Sequence, residues 1–582
     1  VRFGLFYEHQ VPRSEGFEID EERLLADALD QIELADRLGY HYVWEVEHHF
    51  LEEYSHSSAP EVFLAAASQR TERIRLGHGI IQVPPAVNHP ARVAERIATL
   101  DLVSGGRVEL GTGEGSSQIE LGGFGVDRDS KRAQWQEGLD AITRMFVEQP
   151  FAGYQGEFVS MPPRNVIPKP KQRPHPPLWV ACSRRETIRL AARNGIGALS
   201  FSFVEPEEAK EWVDSYYELI ASKECVPAGF AVNPNFAVVL PMMCHADEAT
   251  AIERGIDGGH FFGFSLAYYY AFGEHRPGRS DIWAEFNRRR DELGFARRIV
   301  TADEAPLGVK LLQQGLGSLR GAIGTPAQIA DLIERYEAAG VDQVIFVSQA
   351  GTNRHEHICE SLELFAAEVM PPFVARAEER EAAKRERLAG ACERALARRA
   401  PAREADTGYV VRPDGEPAPA LWRAPSANGG TPAGARDGRS ARELLERVGE
   451  AALGRLVRGR SDEQLHRLFD RGPGLPAIFR AVESALVAER AEGVAAEIQY
   501  ELRGRDGPRH WVVAIKDGRA ESRPGAATDP AVTMRASVPD FVRIVARQAF
   551  APKLLLEGRL ELEGDYLLAA RLDEMFGGQP GT

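Results

Sequence analysis

Over the first 375 residues, short β-rich runs alternate with amphipathic helical patterns, and a Pro/Gly/Ala/Ser-rich stretch then separates them from a second set of helices and strands. Eight strand–helix alternations predict an α/β TIM barrel with insertions, because that order closes most simply into a parallel barrel. The stretch after it predicts a separate C-terminal α+β domain. The expected boundaries are 1–375 for the barrel, 376–439 for a charged helix and linker, and 440–582 for the second domain.

Runs of β-branched and aromatic residues bounded by turn residues mark the barrel strands. They are Arg2–Tyr7, Tyr42–Glu47, Ile74–Val83, Val108–Gly113, Leu178–Ala181, Ala198–Phe203, Phe236–Met243 and Gln343–Ser348. Apolar residues at helical spacing mark Glu21–Leu38, Pro90–Leu102, Lys131–Phe146, Glu186–Arg193, Pro206–Tyr217 and Pro326–Ala338. Gly39, Gly195 and Gly340 follow three of these, where a left-handed C-cap is wanted. Between the last two strands, Gly255–Gly321 reads as a long insertion carrying Phe261, Phe262, Phe264, Tyr268, Tyr269, Tyr270 and Phe272. On a loop overhanging the barrel mouth, such rings suit either core or substrate lining. Phe373–Ala400 reads as a solvated helix with acid–base pairs at i,i+4. Pro401–Gly438 cannot bury enough apolar surface to offset its ordering entropy and reads as a linker. Beyond it, helical patterns at Ala441–Leu456, Asp462–Phe469 and Pro476–Glu492 precede strands at Ala495–Leu502, His510–Ile515 and Ala531–Ala536. A helix at Asp540–Arg547, the strand-like Lys553–Asp565 and an apolar helix at Tyr566–Phe576 complete the pattern.

Composition narrows the function classes. With 582 residues, 43% of them hydrophobic, the chain can bury large cores. Lys+Arg is 70 against 86 for Asp+Glu, a net charge of −16 that repels phosphate backbones and anionic lipid. Nucleic acid and membrane surfaces are therefore not expected as partners. No run of about 18 apolar residues offers a membrane span. Cys182, Cys225, Cys244, Cys359 and Cys392 are odd in number and lack CxxC spacing, which suits neither a disulfide framework nor structural zinc. The opening Val1–Phe6 reads as a strand rather than a signal peptide, and a cytoplasmic location is expected.

Chemistry is expected at the C-terminal ends of the barrel strands. The second strand ends in Glu47-His48-His49-Phe50, and alternation sets Trp44, Val46 and His48 on one face. His48 is thereby the histidine aimed at the mouth, either as an acid–base group or as a loop-capping residue. Gly111-Thr112-Gly113-Glu114-Gly115 is a plain turn or a close approach of backbone to a cofactor ring. Cys182-Ser183-Arg184-Arg185 opens a helix, as a phosphate cradle or an ordinary serine N-cap. Beside those arginines Cys182 is open to a lowered pKa, but no base accompanies it. His355-Glu356-His357 reads as a solvated loop.

These residues resemble a known family. Glu47-His48-His49-Phe50, Gly77-His78-Gly79-Ile80-Ile81-Gln82-Val83-Pro84, Asn88-His89-Pro90 and Ser104-Gly105-Gly106-Arg107-Val108-Glu109-Leu110-Gly111 are similar to the bacterial luciferase-like flavin monooxygenases, with Gly321–Pro326 near the barrel's end. The resemblance implies a barrel that binds reduced FMN, supplied by a separate flavin reductase, and reacts it with oxygen. It implies His48 as the catalytic histidine beside the flavin, and Phe6, Gly79, Ile80, Glu114, Arg132, Cys182, Ser183 and Arg184 around the cofactor. Gly79-Ile80 would carry the family's non-prolyl cis peptide, and Arg132 and Ser183 would hold the phosphate. The chain departs from the luciferase subunit at Gly113 and Glu114, where that subunit has a cysteine and an arginine. A branch using a deazaflavin coenzyme shares the barrel and would transfer hydride without oxygen. From about Ser440 the chain resembles a sterol carrier protein type 2 domain, through Asp529–Ala536, Asp540-Phe541 and Lys553–Asp565. That family binds lipids in an apolar tunnel.

The resulting expectation is a flavin-dependent monooxygenase of an apolar, lipid-like or terpenoid-like substrate, as a homo-oligomer, whose C-terminal domain holds or delivers that substrate. A deazaflavin-dependent dehydrogenase and a non-catalytic lipid carrier are the alternatives, and no metal is expected.

Overall fold

The structure, a computed structural model, describes residues 1–14, 20–200, 206–290, 309–310, 318–319, 321–411, 457, 460–470, 474–491, 494–505, 507–516, 518–528, 530–546, 548–549, 551, 554 and 558–576. Eight parallel strands close a barrel: β1 (Arg2–Tyr7), β2 (Tyr42–Glu45), β3 (Arg75–His78), β4 (Val108–Gly113), β5 (Leu178–Cys182), β6 (Gly197–Ser200), β7 (Phe236–Cys244) and β8 (Gln343–Val347). Each pairs with the next, and β8 returns to β1 with Phe6 opposite Val347. A short strand, Ile81–Gln82, extends β3 along β4.

Around the barrel lie α1 (Glu21–Leu38), α2 (Pro60–Arg70), α3 (Pro90–Val103), α4 (Gln118–Phe124), α5 (Lys131–Val147), α6 (Arg185–Arg193), α7 (Pro206–Ala221), α8 (Glu248–Ala267), α9 (Ile282–Arg289), α10 (Pro326–Ala338), α11 (His355–Glu368) and α12 (Met370–Leu396). Gly39, Gly195 and Gly340 have φ of 91°, 62° and 91°, the left-handed values that end α1, α6 and α10. α10 starts on a capping box, Thr325 with Gln328, followed by Pro326.

Two apolar layers follow from strand alternation. Phe3, Leu5, Val43 and Leu76 face outward into the strand–helix layer, while Phe6, Tyr42, Trp44, Trp179, Val239 and Ile345 fill the interior. At the centre Trp44 and Trp179 meet edge to face at 5.2 Å. Both need a glycine on the neighbouring strand. A Cβ on Gly77 would lie 2.3 Å from the Trp44 ring, and one on Gly197 2.3 Å from the Trp179 ring.

Several expectations are corrected. The aromatic insertion is not a loop: α8 carries Phe261, Phe262 and Phe264, all fully buried, and runs into a π-helical turn at Tyr268–Phe272. A helix buried nearly all round shows no amphipathic stripe, which is why its sequence reads as irregular. His355-Glu356-His357 opens α11 rather than a loop, with His355 Nδ1 3.2 Å from Gln31 Nε2. α12 is not solvated on all faces. Phe373 packs on Phe3, and Lys384 donates to Asp342 at 2.9 Å and to Asn235 at 2.7 Å. Arg398 and Arg403 then tie the following chain to Cys225 and Glu148. The three cis peptide bonds among the described residues all precede proline, and Gly79–Ile80 is trans, the form a non-prolyl bond favours by about 2.5–4 kcal/mol.

By its contacts the chain divides into two units, Val1–Asn428 and Gly429–Thr582. The second is α+β. Its sheet has the order β11 (Arg519–Pro524), β10 (Gly507–Lys516), β9 (Ala496–Gly504), β12 (Val532–Ser537) and β13 (Leu560–Gly564), antiparallel except for β9 beside β12. α13 (Asp462–Phe469), α14 (Gly474–Ser484), α15 (Val538–Val545) and α16 (Tyr566–Met575) accompany it. Phe479 stacks on Trp511 at 4.5 Å and on Phe541 at 5.1 Å in its core. The expected helix at 441–456 and most of the expected linker lie outside the described residues.

Candidate active site

His48 leaves the end of β2 by the alternation that puts Trp44 and Val46 inside the barrel, and stands at its C-terminal mouth. Its Nδ1 is 3.0 Å from Glu120 Oε1 and its Nε2 is 3.7 Å from Glu8 Oε2. Glu120, on α4, also accepts from the His49 backbone N–H and from Gln82 Nε2. Glu8, just past β1, accepts from Tyr54 Oη at 2.8 Å. Burial by itself would lower the His48 pKa, but the Glu120 and Glu8 carboxylates outweigh it and raise it to about 9. Burial pushes the Glu8 carboxyl up to about 7, against the pull of His48 and Tyr54. Near neutral pH the mouth therefore holds an imidazolium between carboxyl groups. Tyr54 and Tyr270 wall it, at ring separations of 5.5 and 6.3 Å from His48. Of the aromatic run, Tyr270 reaches His48, whereas Phe261, Phe262 and Phe264 pack as core.

Neighbouring motif residues serve as supports. Glu47 accepts from Asn88 Nδ2 at 2.8 Å and from the Gln82 N–H at 2.7 Å. His89 caps α3, and Arg107 donates to the carbonyls of Ser68, Thr71 and Ile74. Gly79 makes room for Phe6, whose Cε2 would lie 2.8 Å from a Cβ there, and Ile80 fills the space beside Gly113.

A basic cluster forms at the ends of β4 and β5. Arg132 donates to Glu114 from Nε at 2.6 Å, and Lys131 Nζ donates to the Gly115 carbonyl at 2.7 Å. Burial depresses the Arg184 pKa, Glu186 and Glu114 oppose it, and Arg132 and Arg128 add to the depression. Ser183 is exposed and is not the N-cap of α6; Arg184 is, and no side chain caps that helix. Cys182 points away, into the strand–helix layer, donating to the Val180 carbonyl; burial raises its pKa, contrary to the lowering considered from sequence. Glu8, Glu120, Tyr54, Arg128 and Lys131 escaped the sequence reading. The available signal was their position at strand ends or in the loops that follow.

A flavin-type cofactor has a polar ring edge and a phosphate, and the residues present fit both. Glu8 Oε2, Glu120 Oε2 and Gln82 Oε1 are buried oxygens without a hydrogen-bond partner at the mouth, and the basic cluster suits an anion.

A match to the luciferase-like monooxygenase family spans residues 1–343, and a match to the SCP-2 sterol transfer family spans residues 477–577. The chain belongs to the luciferase-like monooxygenase family. It is an oxidoreductase carrying a C-terminal SCP-2 domain. It is 39% identical over 173 residues to the uncharacterized protein y4wF of Sinorhizobium fredii, 30% of this chain and 49% of that one, so the match spans about half of that relative. It is 24% identical over 377 residues to the oxygenase component of the flavin-dependent trigonelline monooxygenase of Acinetobacter baylyi, 64% of this chain and 96% of that one. The fold matches the crystal structure of monooxygenase RslO1 from Streptomyces bottropensis with a TM-score of 0.50 and 24% identity, covering 64% of this chain and all of that one. Among the described residues no helix is long and apolar enough to cross a membrane.

Proposed function

We propose that the protein is a flavin-dependent monooxygenase that takes reduced FMN from a separate reductase and oxygenates an apolar, lipid- or terpenoid-like molecule. The observation that carries this reading is His48, a cation fixed at the barrel mouth by Glu120 and Glu8 beneath tyrosine walls. Reduced flavin, when bound, supplies the two electrons that activate oxygen, of which one atom enters the substrate and the other leaves as water. The chain's own groups bind and supply protons. Arg132, Ser183 and Arg184 hold the phosphate, and Phe6 with the Gly79–Ile80 backbone borders the ring. His48 keeps a proton at Nε2, Glu120 fixes the imidazole through Nδ1, and Glu8 supplies a second buried carboxyl for proton transfer. Support for a separate reductase comes from the trigonelline relative, which is an oxygenase component. The SCP-2 domain supports an apolar substrate.

The test is to mix the protein anaerobically with reduced FMN, add oxygen, and follow the absorbance. A transient absorbance distinct from those of reduced and oxidised FMN is expected. No such transient, together with tight binding of a reduced deazaflavin, would replace this reading with the dehydrogenase.

A further inference from the structure

The Glu114 carboxylate sits where an anion would. Oε2 accepts from Arg132 Nε at 2.6 Å and Oε1 from Arg132 Nη2 at 3.3 Å, with Lys131 Nζ 3.5 Å from Oε1. This two-point grip is the way a guanidinium holds a phosphate. The pair is partly open, with Glu114 23% and Arg132 36% exposed. Arg128 and Arg184 lie within electrostatic reach, and Glu186 is 3.9 Å from Arg132 Nη1.

We propose that Glu114 is a built-in competitor for the anion that Arg132 binds, so that a phosphate monoester enters by displacing its carboxylate. The inference rests on the reading of this cluster as the cofactor's phosphate cradle. It adds a consequence that reading lacks: affinity at the phosphate end is held down, and a cofactor delivered by one protein and returned after each turnover stays exchangeable. The opposing possibility has the opposite sign. If Glu114 instead orients Arg132 for phosphate, removing its charge weakens binding.

Full-length wild type and Glu114→Gln are titrated anaerobically, by calorimetry, with reduced FMN, with reduced riboflavin and with inorganic phosphate. Glu114→Gln is expected to bind FMN roughly fivefold tighter, the factor that a partly exposed ion pair of about 1 kcal/mol carries. Phosphate should gain likewise, riboflavin should not change, and the gain should vanish when Arg132→Ala is added. Glu114→Ala should show the same order, which guards against a defect peculiar to the amide. Unchanged or weaker FMN binding, or an equal gain for riboflavin, overturns the proposal. A gain for inorganic phosphate with no flavin binding by either protein keeps the competitor and removes the flavin reading.

Discussion

At His48 the cation is 15% exposed and lies between two buried carboxyl groups, whereas at Arg132 it is 36% exposed and pairs with the more open carboxylates of Glu114 and Glu186. Burial makes the first arrangement stiff: Glu120 Oε1 accepts from His48, the His49 N–H and Gln82 together, so neither partner can turn without leaving a buried group unpaired. At the second, solvent screens the pair and repays its rupture. Under the proposed function, the contrast suits two tasks within one barrel mouth. Proton chemistry needs a fixed group with a tuned pKa; anchoring a cofactor that comes and goes needs a grip that opens.

The sharpest way to break this comparison is His48→Ala. Turnover should fall by about 10²–10⁴, the usual worth of positioned acid–base help, with flavin affinity changed far less. Steady-state turnover and a flavin titration on the same protein check it, and unchanged turnover would reduce His48 to a structural role. Arg132→Ala should do the reverse. FMN affinity should drop by roughly tenfold or more, the worth of a hydrogen bond to a charged group, while turnover at saturating cofactor stays near wild type. Glu120→Gln keeps an oxygen for its donors but removes the charge that holds His48 protonated. Activity that requires the imidazolium is lost as pH rises through about 9 in wild type, and that alkaline limb should move down by about one unit in the variant. A pH profile of kcat/KM with an unmoved limb would contradict the coupling. Tyr54→Phe should have the smallest effect, a few-fold in turnover, since it takes one hydrogen bond of about 1 kcal/mol from Glu8.

The barrel was legible because its strands are β-branched runs and its helices end on glycines such as Gly39 and Gly340, which take the left-handed conformation. His48 was legible for a related reason, since alternation along β2 carries past the strand's end. Its partners were not. Glu8 and Glu120 are 112 residues apart and meet only when the barrel closes, so no local spacing announces them. α2 was missed because apolar residues lie all round it: Pro60, Leu64, Ala67 and Ser68 are buried at helical spacing, but Val62, Phe63, Ala65 and Ala66 blur that stripe in the sequence. Cys182 was drawn toward the cofactor by its neighbours in sequence, although strand alternation turns its thiol away from them.

Gly77 and Gly197 leave the space that Trp44 and Trp179 occupy, and this has a consequence for how the barrel can change. The large and small residues form a matched set of four across neighbouring strands, so the cost of altering one depends on the state of its partner. Gly77→Ala alone would force the Trp44 ring aside, at about 1–3 kcal/mol for overpacking. Paired with a smaller residue at position 44, the same alanine would recover part of that loss, with a coupling energy of about 0.5–3 kcal/mol between the two sites. The floor of the mouth is thus inherited as a unit: sequences that drift there must move in pairs or pass through a destabilised intermediate.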